Sequence, residues 1–323
     1  MQVIQTSNSV PQEVIRDVIW PNFFIVGAVK CGTTSLWAHL KKHPQVFLPD
    51  MKEPHFFLGP QPPPQLGDEI VDQHCAGDEE AYHRLYEGAA GFPAIGDASP
   101  SYLWEKDAPR RIHDICPDAK IIIILRDPVV RAHSRYLMNL ELGTESLSFR
   151  EALKRDAARE RKLWWTARLY VEVGLYYEQV LRYFDIFGRE QVLVLFFDEL
   201  TRHPQQALAK VTRHLGIDPL SLSDADLSEP FNPYRRQRFG FLYRIATRVV
   251  SREMRDRLLP ASLKRWLRFN TVFYDTRKPP LDAESRQYLQ EIFEPDIRKL
   301  EELLGRELPA LRKSWTRSDT NPS

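Results

Sequence analysis

The sequence has no apolar run long enough to cross a membrane. Its longest purely apolar stretches, residues 23–26 and 121–125, are far shorter than the about 20 residues that a membrane-spanning helix requires. The residues before Pro21 lack the apolar segment and small-residue cleavage site of a secretory signal. The three cysteines are odd in number and widely spaced, which argues against a disulfide framework and suits a reducing compartment. We therefore expect a cytoplasmic protein without a membrane span.

The sequence also has almost no net charge. It contains 45 Lys and Arg against 44 Asp and Glu, a formal charge of +1, which argues against a general nucleic-acid binder. Charged residues are 28% and hydrophobic residues 43% of the chain, as in ordinary globular proteins. No metal site is expected, because His39 and His43, four positions apart, have no HExxH glutamate or third ligand. The oligomeric state is left open by these patterns.

Short apolar strands alternate with amphipathic helices along much of the chain. Strands are predicted at residues 23–26, 120–125 and 191–196. Helices are predicted at residues 33–42, 129–142, 176–187 and 204–215, with a further helix starting at the capping box SFRE of residues 148–151. Four consecutive isoleucines in the second strand are typical of a buried parallel strand. The pattern predicts an α/β fold, a single domain with a central parallel β-sheet flanked by helices.

The domain is expected to span residues 21–310, between a flexible N-terminus at 1–20 and a C-terminal tail at 311–323.

Two segments depart from the alternation of strands and helices. Residues 61–92 are predicted to be a solvated insertion, because they begin with a proline-rich stretch and belong to an acidic region. Residues 231–278 form a basic, helical-looking segment with 13 Lys and Arg against 3 acids. Either an anionic partner or solvent would accommodate that excess.

Residues 27–35, here called the glycine-lysine loop, join the first predicted strand to the first predicted helix. Free backbone N–H groups and the helix dipole attract anions at such a junction. Gly32 permits close backbone approach and Lys30 adds a positive charge. Hydroxyl donors follow at Thr33, Thr34 and Ser35. The loop therefore predicts a P-loop-like phosphate site, although a tight turn with a threonine cap would also explain it.

A nucleotide-triphosphate P-loop is the nearest alternative. It has Gly, four residues, then Gly-Lys and Ser or Thr. The glycine spacing matches, but Thr33 follows Gly32 and the lysine lies earlier, at Lys30. A magnesium-dependent kinase or NTPase would lack the lysine where its β- and γ-phosphates need it. That reading stays an alternative of lower rank.

Three stretches stand in order along the chain: PNFFIVGAVKCGTT at residues 21–34, KEPHFF at 52–57 and LRDPVVRAHSRY at 125–136. Together they resemble motifs of sulfotransferases that use 3′-phosphoadenosine 5′-phosphosulfate (PAPS). The stretch at residues 21–34 is similar to the family's 5′-phosphosulfate loop. The stretch at 52–57 is similar to the catalytic carboxylate segment of heparan-sulfate-type members. The stretch at 125–136 is similar to the 3′-phosphate motif. The likeness extends over roughly two thirds of the chain and includes bacterial relatives of that type.

The resemblance implies a role for each motif. Lys30 would stabilise the leaving nucleotide, and Glu53 would act as the base that takes the acceptor proton. His55 would share the acceptor hydroxyl or orient Glu53, while Arg126 and Ser134 would hold the 3′-phosphate. Each residue also has an alternative, purely structural role. Glu53 would form an ion pair with its neighbouring lysine, His55 would be a structural histidine, and Arg126 would form a salt bridge at the start of the helix. PAPS would be the co-substrate, without a metal.

Two departures from the family pattern concern the substrate side. The heparan-type enzymes have a lysine where this chain has Ala98, and their C-terminal loop over the nucleotide has no clear counterpart. The acceptor is therefore expected only as a hydroxyl or amine of a glycan, lipid, peptide or specialised metabolite. The alternatives to a sulfotransferase are a P-loop kinase or NTPase and a non-catalytic nucleotide-binding module.

Overall fold

The computed structural model describes residues 18–59, 78–142, 144–158, 169–220, 222–223, 236–237, 274–275 and 278–315. The predicted flexible N-terminus lies almost entirely outside these residues, as do the first part of the 61–92 insertion, most of the basic segment at 231–278 and the end of the C-terminal tail. None of the helices within the described ranges has the length and apolar character needed to cross a bilayer.

Five parallel strands form the central sheet, in the order β2-β3-β1-β4-β5. They are β1 Phe23–Gly27, β2 Val46–Phe47, β3 Ala94–Asp97, β4 Lys120–Leu125 and β5 Val192–Phe196. A separate antiparallel pair joins β6, Arg236–Gln237, to β7, Tyr274–Asp275. The three strands predicted from apolar runs are confirmed. β2 and β3 are two and four residues long, too short for the sequence pattern to indicate.

The described helices flank this sheet. They are α1 Thr33–Leu40, α2 Glu79–Arg84, α3 Ala108–Ile115, α4 Pro128–Glu141, α5 Phe149–Ala157, α6 Tyr177–Phe187, α7 Phe197–Arg202, α8 Pro204–Leu215 and α9 Ala283–Leu304. Helix starts follow their sequence signals: the Asp127 carboxylate caps α4 ahead of Pro128, and the predicted capping box opens α5. The predicted α/β architecture is confirmed.

The isoleucines of β4 are fully buried at the centre of the sheet. Ile121 pairs in register with Val192 of β5, and Ile122 pairs with Ile25 of β1 on the other side. Burial on both faces explains the unbroken apolar run, because helices cover both sides of a parallel sheet.

The part of the acidic segment that the structure describes is only partly a solvated surface. Tyr82 and Tyr86 are fully buried in the core, in and just after α2. The tail also begins inside the fold: Leu311 is buried, and the backbone N–H of Ser314 donates to the Asp127 carboxylate at 2.8 Å. Net acidity indicated the exposed face of α2, but it did not reveal the aromatic side chains on the opposite face.

The strand order indicates at which end of the sheet a ligand would bind. β1 lies in the middle, with β3 and β2 on one side and β4 and β5 on the other, so the connections diverge next to it. In open parallel sheets, ligands bind outside the carboxyl ends of the strands at such a switch point. The glycine-lysine loop leaves β1, and Arg126 leaves β4, at this edge.

Candidate active site at the carboxyl edge of the sheet

Two glycines shape the glycine-lysine loop. A Cβ on Gly27 would lie 2.4 Å from Leu103 Cβ, closer than packed carbon atoms approach. Gly32 has φ of 92°, in the left-handed region, and a Cβ there would lie 3.0 Å from the Phe197 ring. The turn from β1 into α1 therefore requires glycine at both positions.

The first turn of α1 is prepared for an anion. Its N-cap is Gly32, which has no side chain to cap the free amides, and its first turn contains no acidic residue. Thr33 is buried, whereas Thr34 and Ser35 are half-buried and add hydroxyl donors. Uncapped N–H groups at a helix start carry partial positive charge, so this turn favours an anionic group.

Lys30 lies inside the loop with left-handed φ of 68°, and its ammonium Nζ is 3.6 Å from the sulfur of Met138 on α4. Burial, together with the positive charges of Arg135 and Arg126, lowers the pKa of Lys30 to about 8. The negative charges of Glu141 and Glu53 oppose that shift only in part. An anion bound here would relieve the repulsion among the cations.

Arg126 connects the second motif to the loop. Its guanidinium Nη1 donates to the carbonyl of Lys30 at 3.3 Å, and its central carbon lies 4.2 Å from the Phe197 ring centroid. The Tyr176 hydroxyl donates to the Arg126 carbonyl at 2.9 Å. Asp127, the alternative partner of Arg126, instead accepts from the backbone N–H groups of α4 and the tail. The guanidinium thus remains at the loop.

α4 carries the remaining residues of the second motif. Ser134 lies four residues before Met138, hence on the same helix face as the side chain that touches Lys30. Arg131 instead points into the core, where it is fully buried and donates to the carbonyl of Tyr170. The structure brings Lys30, Arg126 and the Ser134 face of α4 together, whereas the Arg131 side chain is buried behind them, within electrostatic reach of Arg126.

Glu53 and His55 lie in a strained segment between β2 and α2, here called the 53–55 segment. Both residues have left-handed φ values, 64° and 63°, which cost of order 1–3 kcal/mol each for non-glycine residues. The Glu53 carboxylate pairs with Lys52 through Oε1, and its Oε2 lies 3.7 Å from Nε2 of His55. The predicted base therefore has both a lysine and a histidine beside it.

Glu53 is held ionised by its surroundings. Burial opposes ionisation, but the positive charges of Lys52, of a protonated His55 and of Arg135 outweigh it, so that the pKa of Glu53 lies below its ordinary value. Its side chain keeps 37% of its surface exposed. An ionised, reachable carboxylate at this position is chemically suited to take a proton. The pairing with Lys52 occupies one oxygen only.

Sequence reasoning missed three contributors to this site. Lys52, considered only as a surface partner, has a side chain only 15% exposed and pairs with Glu53. Arg135 acts electrostatically on both Lys30 and Glu53, and burial lowers its own pKa to about 10. Its place on α4, one residue after Ser134, was the available signal. The third is Asp97, a fully buried carboxylate at the end of β3 behind the 53–55 segment.

No trio of His, Cys, Asp or Glu within the described ranges is arranged to hold a metal ion. His43, one of the two histidines considered above, has both ring nitrogens engaged: Nε2 lies 2.9 Å from the Asp218 carbonyl, and Nδ1 accepts from the Gln45 N–H at 3.0 Å.

Comparison with known proteins gives matches of one kind. A family model described as "Sulfotransferase family" matches residues 21–221. Carbohydrate sulfotransferase 15 of Mus musculus is 27% identical over 249 residues, covering 62% of this chain and 44% of that protein. Heparan sulfate glucosamine 3-O-sulfotransferase 6 of Mus musculus is 30% identical over 198 residues, covering 61% and 53%. The chain thus spans about half the length of these curated relatives.

A solved structure extends the likeness over most of the chain. The sulfotransferase from Alicyclobacillus acidocaldarius is 34% identical, with a TM-score of 0.67. The match covers 91% of this chain and 100% of that one. The residues that the family model matches, 21–221, include all five strands of the sheet and both motifs at its carboxyl edge.

Proposed function

This chain belongs to the sulfotransferase family, and from that premise we propose that it transfers a sulfuryl group from PAPS to a hydroxyl or amine of an acceptor. One observation carries the proposal. The glycine-lysine loop, with an excess of positive charge, lies within electrostatic reach of an ionised carboxylate, since the negative charge of Glu53 acts on the Lys30 ammonium. That combination suits a polyanionic donor on one side and a hydroxyl to be deprotonated on the other.

The residues at the sheet edge fit PAPS. The uncapped first turn of α1, with Thr33, Thr34 and Ser35, would hold the 5′-phosphosulfate, and Arg126 with Ser134 would hold the 3′-phosphate. The fit is supported by the depressed pKa of Lys30, because clustered cations without enough anions favour a highly charged ligand. When bound, PAPS supplies the sulfuryl group.

The protein's own residues then divide the work. Glu53 takes the proton of the acceptor, and Lys52 and His55 hold its two oxygens in place. The Lys30 ammonium neutralises negative charge as it builds up on the departing nucleotide. By analogy with phosphoryl transfer, the protein contributes positioning and electrostatic stabilisation more than covalent chemistry.

The relatives point to the acceptor class to test first. Their names describe enzymes that act on carbohydrates, one of them on the glucosamine of heparan sulfate. We therefore propose a carbohydrate hydroxyl as the leading acceptor, ahead of a lipid, a peptide or a specialised metabolite.

The test offers labelled PAPS and a panel of acceptors to the purified chain. The panel holds heparan sulfate, chondroitin, an amino sugar, a fatty alcohol, a tyrosine peptide and p-nitrophenol. We expect label to enter at least one acceptor, and calorimetry to show tighter binding of 3′,5′-ADP than of ATP. Magnesium-dependent ATP turnover would support a kinase or NTPase instead. Binding of 3′,5′-ADP without transfer to any acceptor would support a non-catalytic nucleotide-binding module.

A further inference from the structure

Asp97 and three hydroxyl groups form a buried cluster behind the 53–55 segment, here called the Asp97 cluster. Oδ1 of Asp97 accepts from the Ser99 hydroxyl at 2.7 Å. Oδ2 accepts from the hydroxyls of Tyr82 at 2.8 Å and Tyr102 at 3.0 Å. All four side chains are fully buried. A buried carboxylate with three donors is well satisfied, so the cluster is a defined structure within the core.

Two of these hydroxyls reach the active-site segment. The backbone N–H of His55 donates to Ser99 Oγ at 3.3 Å, and that of Phe57 donates to the Tyr102 hydroxyl oxygen at 3.3 Å. An ionised carboxylate only accepts hydrogen bonds, so it draws the hydroxyl hydrogens of Ser99 and Tyr102 toward itself. Their lone pairs then face the two N–H groups. Asp97 thereby sets the direction of both bonds.

The 53–55 segment needs such support. Glu53 and His55 both have left-handed backbones, a conformation that persists in non-glycine residues only where the surroundings hold it. The bond to His55 comes from a residue 44 positions away in sequence. Without it, the backbone that aims the Glu53 carboxylate would relax toward ordinary φ values.

We propose that Asp97 is a positioning residue for sulfuryl transfer, which holds Glu53 and His55 against the acceptor through the hydroxyls of Ser99 and Tyr102. This inference rests on the proposed function of the site. Asp97 itself does not touch the reacting atoms. Its effect is on the rate of transfer. Binding of the donor depends instead on the glycine-lysine loop, which follows the neighbouring strand β1.

The charge state of Asp97 gives the proposal a pH signature. Burial raises its pKa to about 6, against the hydrogen bonds of Ser99, Tyr82 and Tyr102 and the positive charge of Lys52. The other titratable groups around it are Tyr86, Tyr183 and Cys116. Burial raises the pKa of Tyr82, Tyr102 and Tyr183 well above the ordinary value and that of Cys116 to about 12, so these groups stay neutral.

A proton on Asp97 would turn one of its oxygens into a hydrogen-bond donor. A hydroxyl that now donates to that oxygen would have to turn its own hydrogen away. The positioned state is therefore present above about pH 6 and lost as the pH falls through that value. Protonation of Glu53 itself occurs at lower pH, since its pKa is depressed.

The experiment compares the full chain with Asp97→Asn and Tyr102→Phe, and with Tyr86→Phe as the matched loss of a buried hydroxyl. The Tyr86 hydroxyl has two acceptors within hydrogen-bond distance, the Tyr82 hydroxyl oxygen and the Gly96 carbonyl, and lies one bond further from Asp97. The rate of amide hydrogen exchange at His55 and Phe57 reports how firmly the two backbone hydrogen bonds hold the 53–55 segment. Calorimetry with 3′,5′-ADP reports the donor site, and kcat with a panel acceptor that the wild type sulfates reports transfer.

We expect Asp97→Asn to speed exchange at His55 and Phe57 at least tenfold and to lower kcat by roughly 10- to 100-fold, with the dissociation constant for 3′,5′-ADP changed by less than about twofold. The acid limb of kcat near pH 6 should disappear. Tyr102→Phe should speed exchange at Phe57, and Tyr86→Phe should do neither. If Asp97→Asn does not fold, the Tyr102→Phe result decides.

Unchanged exchange and kcat in variants that fold would overturn the positioning role while leaving the proposed function intact. An acid limb near pH 6 that persists in Asp97→Asn would assign it to a group other than Asp97 and contradict the proposal. A wild-type chain that sulfates no acceptor would instead remove the proposed function, and the two failures are thus separate.

Discussion

The two sides of the candidate site are built in different ways. The candidate hydrogen-bond donors of the glycine-lysine loop are nearly consecutive residues, with left-handed Lys30 and Gly32 at the junction of β1 and α1. The 53–55 segment is equally strained, but the hydrogen bonds that hold His55 and Phe57 come from residues 44 and 45 positions away. The groups proposed to hold the 5′-phosphosulfate thus lie within one loop, whereas the placement of the proposed base depends on residues far apart in the chain.

The two sides also differ in how complete they are without ligand. Glu53 has its pKa lowered, so it is already ionised and ready to accept a proton. Lys30 also has its pKa lowered, to about 8, first by burial and then by the positive charges of Arg135 and Arg126. The Glu53 carboxylate is already paired with a cation, whereas the cations around Lys30 repel one another until an anion offsets them.

The largest expected effect is on the side of the site that contains Glu53. Glu53→Gln removes the base and should lower sulfate transfer about 1,000-fold, within the range for general-base catalysis. Calorimetry should find 3′,5′-ADP binding nearly unchanged, because the donor loop is on another strand. Glu190→Gln, an exposed glutamate far along the chain, is the matched control. Full activity in Glu53→Gln would contradict the role of Glu53 as base, because the acceptor side would then carry no catalytic group.

The next effect tests the donor side. Lys30→Ala removes the charge that stabilises the leaving nucleotide and should lower kcat about 100-fold in the labelled-PAPS assay. Lys41→Ala, a lysine just after α1, is the control and should retain activity. A loss confined to KM for PAPS would mean that Lys30 serves binding rather than the transfer step.

Arg126 should affect binding through one phosphate. Arg126→Ala is expected to weaken 3′,5′-ADP about 30-fold, the equivalent of a lost charge-assisted hydrogen bond. Binding of 5′-AMP, which lacks the 3′-phosphate, should change little, so the ratio of the two affinities measured by calorimetry should collapse. An equal loss for both nucleotides would show that Arg126 supports the loop through the Lys30 carbonyl instead.

The smallest expected effect is a pH dependence of donor binding. Lys30 is protonated below its pKa of about 8 and neutral above it, so affinity for 3′,5′-ADP should be full at pH 7 and fall as the pH rises. About a tenfold loss by pH 9 is the most that one proton can give. Lys30→Arg keeps its charge and should flatten the curve over this range. A falling curve in that variant would place the titration elsewhere.

Prediction from the sequence succeeded where contacts are short-range. The isoleucine run of β4, the capping box of α5 and the loop after β1 each carry their evidence in adjacent residues, and each lies where it was expected. β2 and β3 were missed because strands of two and four residues have no measurable period. The buried tyrosines of residues 78–92 were missed because acidic composition describes only the exposed face.

Adjacent residues were enough to predict the parallel sheet and the loop at its edge, because hydrophobic period, glycine conformation and a free helix start are properties of consecutive residues. Folding was needed to pair Lys52 with one oxygen of Glu53, to bring Arg135 within electrostatic reach of Lys30 and Glu53, and to place the Ser99 hydroxyl against Asp97 behind the 53–55 segment. The direction of a hydrogen bond depends on which groups meet in space, and that meeting is set by how β3, α2 and the loop after β2 pack together.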